Sequence, residues 1–132
     1  ATENTELRTA FEEHQQQTEG HVERLERIFE GLDLAPRGKK CKGMEGLIEE
    51  GQDMMEEDAE PDVRDAALIS SAQRVEHYEI AAYGTLRTYA RRLGNDQAAR
   101  LLQETLDEEG ATDEKLTRLA ESVVNPKAHR AD

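Results

Sequence analysis

The chain has 132 residues, of which 30 are acidic and 17 are basic, so its formal charge is −13. A surface with this charge repels nucleic acid and anionic membranes, and we expect neither as a partner. Aromatic residues make up only 4% of the sequence and charged residues 36%, a balance that favours helices over sheet. The length suits a single domain over residues 1–132 with a core of its own.

The sequence contains one cysteine, Cys41, which cannot form an internal disulfide and therefore indicates a reducing compartment. No apolar run approaches the ~20 residues that a membrane-spanning helix needs, and we expect no signal peptide. These features predict a cytoplasmic protein. Flanking lysines favour the thiolate of Cys41, but no catalytic partner is spaced around it, so we interpret it as a loop cysteine without chemistry.

The first helix is predicted over residues 5–32, where apolar side chains recur at three- and four-residue steps. Between Phe11 and Leu25, however, the inner face carries polar side chains instead of aliphatic ones. A polar patch in the middle of an otherwise apolar face needs partners on other helices. The residues of this patch are His14, Gln17 and His21.

A connector punctuated by Pro36 and Gly38 leads to a shorter second helix, predicted over residues 44–57. Pro61 then suits the start of a long third helix over residues 61–93, because the first helical turn does not need the missing N–H.

The third helix carries two carboxylates in the middle of its apolar stripe. Ala72, Ile80 and Tyr83 belong to that stripe, and Tyr83 is interpreted as a core aromatic residue. Glu76 completes the same series, and Glu79 lies roughly 60° away around the helix. Because an unpaired buried carboxylate costs several kcal/mol, both side chains require partners.

Gly94 is predicted to end the third helix as a C-terminal cap. A last long helix follows over residues 96–124, and a frayed tail over residues 125–132. The inner face of this helix is also polar at its middle. The residues there are Glu109 and either Thr112 or Asp113.

These patterns predict an all-α protein, an up-and-down bundle of three long helices and one short helix. A helix of about 30 residues is about 45 Å long, whereas the second helix is about half that length, so one groove of the bundle should stay open. A partner chain, or a helix preceding Ala1, would close this groove. A symmetric homodimer is the simplest closure.

The polar middles of the three long helices can meet at one level of the bundle. Carboxylates and imidazoles from facing helices build the dimetal sites of bundle cores, and such ligands suit iron, manganese or zinc. Alternatively, the same residues satisfy one another, or pair with Arg24, Arg74 or Lys115, in a polar core without metal. Glu108 is expected to point outward and His77 sideways. The predicted ligands are His14, Gln17, His21, Glu76, Glu79, Glu109 and Asp113.

Several segments of the chain carry a family resemblance: Phe11–His14, Met44–Glu50, Arg64–Ile69, Val75–Leu86, Leu102–Glu109 and Ala111–Asp113. The matching pattern runs from Leu7 to Ala120, and the segment Val75–Leu86 is its most specific part. In these segments the chain resembles the YciF-like branch of the ferritin-like superfamily.

The resemblance implies a rubrerythrin-like bundle, usually dimeric, associated with bacterial and archaeal stress responses and carrying a candidate dinuclear iron or manganese site. Glu76 and Glu79 match the carboxylates of the third helix, Glu109 that of the last helix, and His14 and Gln17 the polar patch of the first. Family members usually begin with a further helix that supplies another glutamate, and position 17 is often Glu. The resemblance therefore implies a site with fewer carboxylates than is usual.

Two functions follow from these observations. The first is a ferritin-like stress-response protein that binds iron or manganese and reacts with oxygen or peroxide. Glu76 and Glu109 would be bridging or terminal ligands of the metals, and His14 or His21 would be the nitrogen ligand. The second is a metal-free helical dimer with a structural or interaction role under stress, which would hold no cofactor.

Overall fold

The regular elements of the protein are all helical in a computed structural model that describes residues 2–130. Three long helices and one shorter helix are present, which confirms the predicted all-α bundle. Within this part of the chain, no helix combines the length and hydropathy that crossing a bilayer requires. The helices are α1 (Thr5–Gly31), α2 (Lys42–Glu56), α3 (Pro61–Arg92), α4 (Asp96–Leu119) and α5 (Asn125–Ala128), with a π-helical turn, Ala120–Val124, between α4 and α5.

Helix boundaries follow local capping chemistry. The side chain of Asn4 accepts a hydrogen bond from the backbone N–H of Leu7 (3.0 Å) at the start of α1, and Asn95 does the same for Ala98 (3.0 Å) at the start of α4. Gly94 follows α3 with a φ of +73°, a left-handed conformation that glycine adopts without a steric penalty.

The end of α4 differs from the prediction. The sequence predicted that the last helix ends at residue 124 and that residues 125–132 form a frayed tail. This prediction is wrong for Asn125–Ala128, which are helical. The π-helical turn shifts the backbone register, and Pro126 then lies in the first turn of α5, where its missing N–H leaves no hydrogen bond unmade. Residues 131 and 132 of the predicted tail lie outside the described residues.

Helix α4 lies between α1 and α3 and packs against both, while α2 packs on α3. The apolar core is divided into two clusters at opposite ends of the bundle, with Leu7, Ile69 and Leu116 in one cluster, and Ala90 and Leu102 in the other. The polar middles of the long helices occupy the level between these clusters. This arrangement brings the side chains that the sequence singled out to one height in the fold.

The remaining side of the bundle, between α1 and α3, is open in the described structure. A groove of about 560 Å³ runs along it, lined by apolar side chains that include Phe11, Ile48 and Val75. Beyond Val75, towards the C-terminal end of α3, further apolar side chains are exposed: Leu86 is 45% exposed and Tyr89 is 60% exposed. The open groove predicted from the short second helix is therefore present.

Candidate metal centre

Four side chains from the three long helices meet at the polar level of the bundle. One donor atom each from His14 of α1, Glu76 and Glu79 of α3, and Glu109 of α4 lies within 4.8 Å of the others. Three carboxylates and one imidazole form a donor set that suits iron or manganese. The structure thus brings together four of the seven residues predicted from the sequence.

Two of the three carboxylates of this group, Glu76 and Glu109, are buried and have oxygens without hydrogen-bond partners. Glu109 is 0% exposed and Glu76 is 2% exposed. Both oxygens of Glu109 and Oε2 of Glu76 have no hydrogen-bond partner. Buried carboxylate oxygens without partners are costly, and a bound cation would supply the missing interaction. The residues present therefore fit a metal ion.

Burial and mutual repulsion shift the ionisation of these carboxylates. Burial raises the pKa of Glu79 to about 7, and the nearby charge of Glu109 adds to the increase. Burial also raises the pKa of Glu109, with a further contribution from Glu76. In the described part of the chain, no Lys or Arg lies within salt-bridge distance of Glu76, Glu79 or Glu109. Positive charge at the centre is supplied only by histidine.

His14 is oriented through one ring nitrogen and faces the carboxylates with the other. Its Nδ1 lies 3.2 Å from Gln17 Oε1 and 3.0 Å from the hydroxyl of Thr112, whereas its Nε2 lies 3.0 Å from Glu76 Oε1. Burial lowers the pKa of His14, but the hydrogen bond and charge of Glu76 outweigh burial and raise it to about 9. An oriented imidazole whose second nitrogen is held by a polar partner is typical of a metal-binding histidine.

Gln17 belongs to the surroundings of His14. Its carbonyl oxygen accepts a hydrogen bond from the hydroxyl of Thr112 (3.2 Å) and lies against His14 Nδ1. This oxygen, which was predicted as a ligand, lies on the side of the His14 ring opposite to the nitrogen that contacts Glu76. The sequence left Thr112 and Asp113 as alternatives for the inward position on α4. Thr112 is buried and occupies that position.

His21, which was also predicted as a ligand, lies beside the four donors but outside their group. Its ring is 2% exposed, with Nδ1 2.9 Å from Glu109 Oε1 and Nε2 2.8 Å from Glu108 Oε2. Burial lowers the pKa of His21, but its close contacts with the carboxylates of Glu109 and Glu108 raise it above its ordinary value. Its two nitrogens thus face the carboxylates of Glu108 and Glu109, and His21 is not among the four donors that lie within 4.8 Å of one another.

Glu108 was expected to point outward, and this expectation is wrong. Its oxygens accept hydrogen bonds from both terminal nitrogens of Arg24 (2.8 and 2.7 Å), in addition to the contact with His21. The hydrogen bond from Arg24 lowers the pKa of Glu108. The presence of Arg24 one turn after His21 was the sequence signal for this arrangement, because side chains three residues apart share a helix face.

Asp113 does not reach the centre. Its carboxylate accepts a hydrogen bond from Gln73 Nε2 (3.1 Å) and lies 3.0 Å from Nε2 of His77, whose side chain is 66% exposed. These contacts hold Asp113 on the outer side of the α3–α4 contact. Its prediction as a ligand is therefore corrected: the residue lies about 100° around the helix from the inward Thr112.

Two basic residues that could have neutralised the centre are engaged elsewhere. Arg74 lies 3.6 Å from Glu50 of α2, and Lys115 pairs with Glu13 of α1. Both pairs are at the surface. In the alternative polar core without metal, Arg74 and Lys115 therefore do not pair with the central carboxylates, and the pairing there is between histidine and glutamate, as between His14 and Glu76.

Comparison with known proteins identifies relatives over nearly the whole chain. The family described as a domain of unknown function, DUF892, matches residues 1–129. The chain is 53% identical to protein YciF of Escherichia coli strain K12 over 129 residues, which are 97% of this chain and 78% of that protein.

Two solved structures have the same fold. The crystal structure of the E. coli stress protein YciF matches with a TM-score of 0.89 and 52% identity, covering 94% of this chain and 79% of that one. The structure of YcfI from Rhodopseudomonas palustris, named as a candidate structural protein, matches with a TM-score of 0.85 and 40% identity, covering 88% and 74%. The resemblance predicted from the segments around Val75–Leu86 is thereby confirmed. The chain belongs to the DUF892 family and is YciF-like.

Proposed function

We propose that the protein is a ferritin-like stress-response metalloprotein that binds iron or manganese through His14, Glu76, Glu79 and Glu109. The observation that supports this proposal is the set of buried carboxylate oxygens without hydrogen-bond partners next to an oriented imidazole. The stress role is proposed from the name of the E. coli relative. Buried carboxylates that converge from different helices are costly unless a cation joins them.

The centre is proposed to be dinuclear. Both oxygens of Glu109 are without a hydrogen-bond partner, so this carboxylate could contact two ions, and Oε2 of Glu76 is free for one of them. The three carboxylates together supply a charge close to what two divalent ions would balance. The first ion would use the four donors that lie within 4.8 Å of one another.

Bound iron or manganese would supply the redox chemistry with oxygen or peroxide. The residues of the chain prepare the environment for it. Gln17 and Thr112 orient His14. The two apolar clusters at opposite ends of the bundle limit the access of water to the centre.

Metal analysis after loading with Fe(II) or Mn(II) tests the proposal. We expect about two ions per chain in the parent protein and a loss of both in the double variant Glu76→Ala with Glu109→Ala. The variant Glu114→Ala is a matched control, because Glu114 is on the same helix and its side chain is 77% exposed. A stoichiometry near zero, unchanged in the double variant, would overturn the metal centre, whereas one ion per chain would overturn only its dinuclear form.

A second candidate function is a structural or interaction role without metal, which the name of the R. palustris relative favours. In this case the double variant Glu76→Ala with Glu109→Ala should be at least as stable as the parent, because the mutual repulsion of the carboxylates is removed. Thermal unfolding with and without Mn(II) separates the two functions. A loss of stability that appears only in the presence of metal would contradict the structural role.

We also propose that a second copy of the chain covers the open side between α1 and α3, giving a homodimer. The exposed residues Ile48, Leu86 and Tyr89 supply the apolar surface for this contact. Sedimentation of the parent should then report about twice 14.9 kDa, and Leu86→Lys should shift the distribution towards the monomer. The control Glu121→Lys changes an exposed residue beyond α4 and should leave the dimer intact. A parent that stays monomeric at high concentration would exclude this interface.

A further inference from the structure

A line of polar side chains extends from the metal centre to the surface along the contact between α1 and α4. It begins at Glu109, passes through the buried ring of His21 and continues to Glu108 and Arg24. None of the outer three residues belongs to the group of four donors. Their arrangement therefore requires an explanation beyond ligation.

The outer end of this line is rigid. Arg24 donates two parallel hydrogen bonds to the two oxygens of Glu108 (2.7 and 2.8 Å), the strongest geometry for a carboxylate pair. The guanidinium is itself held by the hydroxyl of Thr105 (3.2 Å) and the carboxylate of Glu104 (3.3 Å). Glu108 thus has a fixed position from which it accepts a hydrogen bond from His21.

The inner end of the line, where His21 meets Glu109, lacks the aligned hydrogen bonds of the outer end. His21 Nδ1 is only 2.9 Å from Glu109 Oε1, yet the two atoms do not form an aligned hydrogen bond. The attraction fixes the place of the Glu109 carboxylate without an aligned hydrogen bond to either oxygen. A carboxylate that is held in place and still has free lone pairs is prepared to bind a cation.

We propose that His21 is a positioning residue that holds Glu109 for the metal, and that Glu108 and Arg24 anchor His21. This inference rests on the metal centre proposed above. None of the three residues binds the ion. Breaking the line should weaken metal binding while the number of ions per chain stays the same, since outer partners of metal ligands typically contribute about 10–100-fold to affinity.

The test measures the affinity and stoichiometry of Mn(II) by titration, and the visible absorption spectrum of Co(II) as a probe of ligand geometry. We expect Glu108→Gln and Arg24→Lys each to weaken Mn(II) binding about 10-fold or more and to alter the Co(II) spectrum. The stoichiometry should equal that of the parent in both variants. Glu109→Gln, by contrast, should lower the stoichiometry.

A matched control separates positioning from a general loosening of the helix contact. Glu13→Gln removes a different ion pair between α1 and α4, the one with Lys115, and does not touch the centre. It should leave Mn(II) affinity and the Co(II) spectrum unchanged. If Glu13→Gln weakens binding as much as Glu108→Gln, the effect is merely structural and the inference is overturned.

Three other outcomes would overturn the positioning role of His21. Unchanged affinity in both Glu108→Gln and Arg24→Lys would overturn the positioning role while leaving the metal centre intact. A lower stoichiometry in His21→Gln, together with unaffected binding in Glu108→Gln, would make His21 a ligand and overturn the inference. Absence of metal binding in the parent would overturn both the centre and the inference.

Discussion

At the scale of single residues, the centre contains groups whose pKa values are raised by folding. The pKa of Glu79 rises to about 7 through burial and the charge of Glu109. The pKa of His14 rises to about 9 because the hydrogen bond and charge of Glu76 outweigh burial. The two residues differ in charge type, but both bind protons more tightly in the folded chain. Their effects on stability therefore have the same sign.

A group with a raised pKa stabilises the fold fully below its unfolded pKa, and this contribution is lost as the pH rises through its folded pKa. For Glu79 the loss falls between about pH 4.5 and 7, and for His14 between about pH 6.5 and 9. We therefore predict that the free energy of unfolding of the chelator-treated protein falls from pH 5 to pH 9. Urea unfolding at several pH values measures it.

The variant Glu79→Gln provides the control for this pH dependence. It should flatten the lower part of the curve, between about pH 4.5 and 7, and leave the upper part, which depends on His14, in place. A parent protein whose stability rises over the same range would contradict the prediction.

The position of Glu76 in the centre was predictable from the sequence, whereas the contacts of two neighbouring side chains were not. Glu76 stood out because it interrupts an apolar stripe, and the structure places it in the buried cluster. The roles of His21 and Glu108 were not predictable in the same way. Helical periodicity identifies the face of a residue, but not whether its side chain meets an ion or a neighbouring carboxylate, and Arg24 draws Glu108 back towards the contact between α1 and α4.

At the scale of elements, the start of α2 is built around a contact with α3. The hydroxyl of Tyr78 lies 3.1 Å from Sγ of Cys41, immediately before α2. The ring passes so close to Gly43 that a Cβ at this position would lie 2.8 Å from it. The hydrogen bond from Tyr78 lowers the pKa of the Cys41 thiol. The glycine thus admits the ring that makes this contact.

We predict that Gly43→Ala displaces the Tyr78 ring and raises the pKa of Cys41. The reaction of the thiol with an alkylating reagent should then become slower near neutral pH, with its midpoint at higher pH. Thermal stability should change little, because Ala gains about 1 kcal/mol of helix propensity over Gly and the displaced ring is at the surface.

Tyr78→Phe is the comparison variant for this prediction. It removes the hydroxyl without adding a side chain at Gly43, and it should raise the midpoint in the same direction. If both variants react at the parental rate, Tyr78 does not control the thiol.

Helix positions were largely predictable from the sequence, but the end of α4 was not. Pro61 and Gly94 marked boundaries through local backbone chemistry, and these signals depend on nearby residues only. The register shift before Pro126 depends instead on the packing of the π-helical turn and α5 against α3. Val124, buried within that turn, belongs to the core cluster that includes Leu7.

At the scale of the whole molecule, the proposed metal would connect three helices that are far apart in sequence. His14 comes from α1, Glu76 and Glu79 from α3, and Glu109 from α4. A ligand that binds only the folded chain stabilises it by about 2.7 kcal/mol at a free concentration one hundred times its Kd. Such a gain should be visible as a higher Tm.

We therefore predict that saturating Mn(II) raises the Tm of the parent by several degrees and that Glu76→Ala abolishes most of the increase. Differential scanning calorimetry measures both. Glu114→Ala, an exposed change on α4, should retain the increase. An equal rise in Glu76→Ala would mean that Mn(II) acts at other acidic residues of the surface.

The net charge of −13 also acts on the whole molecule. Repulsion among exposed carboxylates opposes the compact state, and salt screens it over a Debye length of about 10 Å at 0.1 M. We predict that the Tm of the chelator-treated protein rises between 0.01 and 0.5 M sodium chloride. A Tm that falls over this range would show that the surface ion pairs, such as Arg74 with Glu50, outweigh the repulsion.

The position of α4 between α1 and α3 has a consequence for how the protein opens. Among the described residues, α1 packs mainly on α4, whereas α3 and α4 form an antiparallel hairpin with the most extensive contact in the fold. Local opening should therefore begin with α1, whose backbone amides would exchange with deuterium before those of the hairpin. Since His14 is the one donor of the centre that comes from α1, metal binding should slow exchange most in the helix that otherwise opens first.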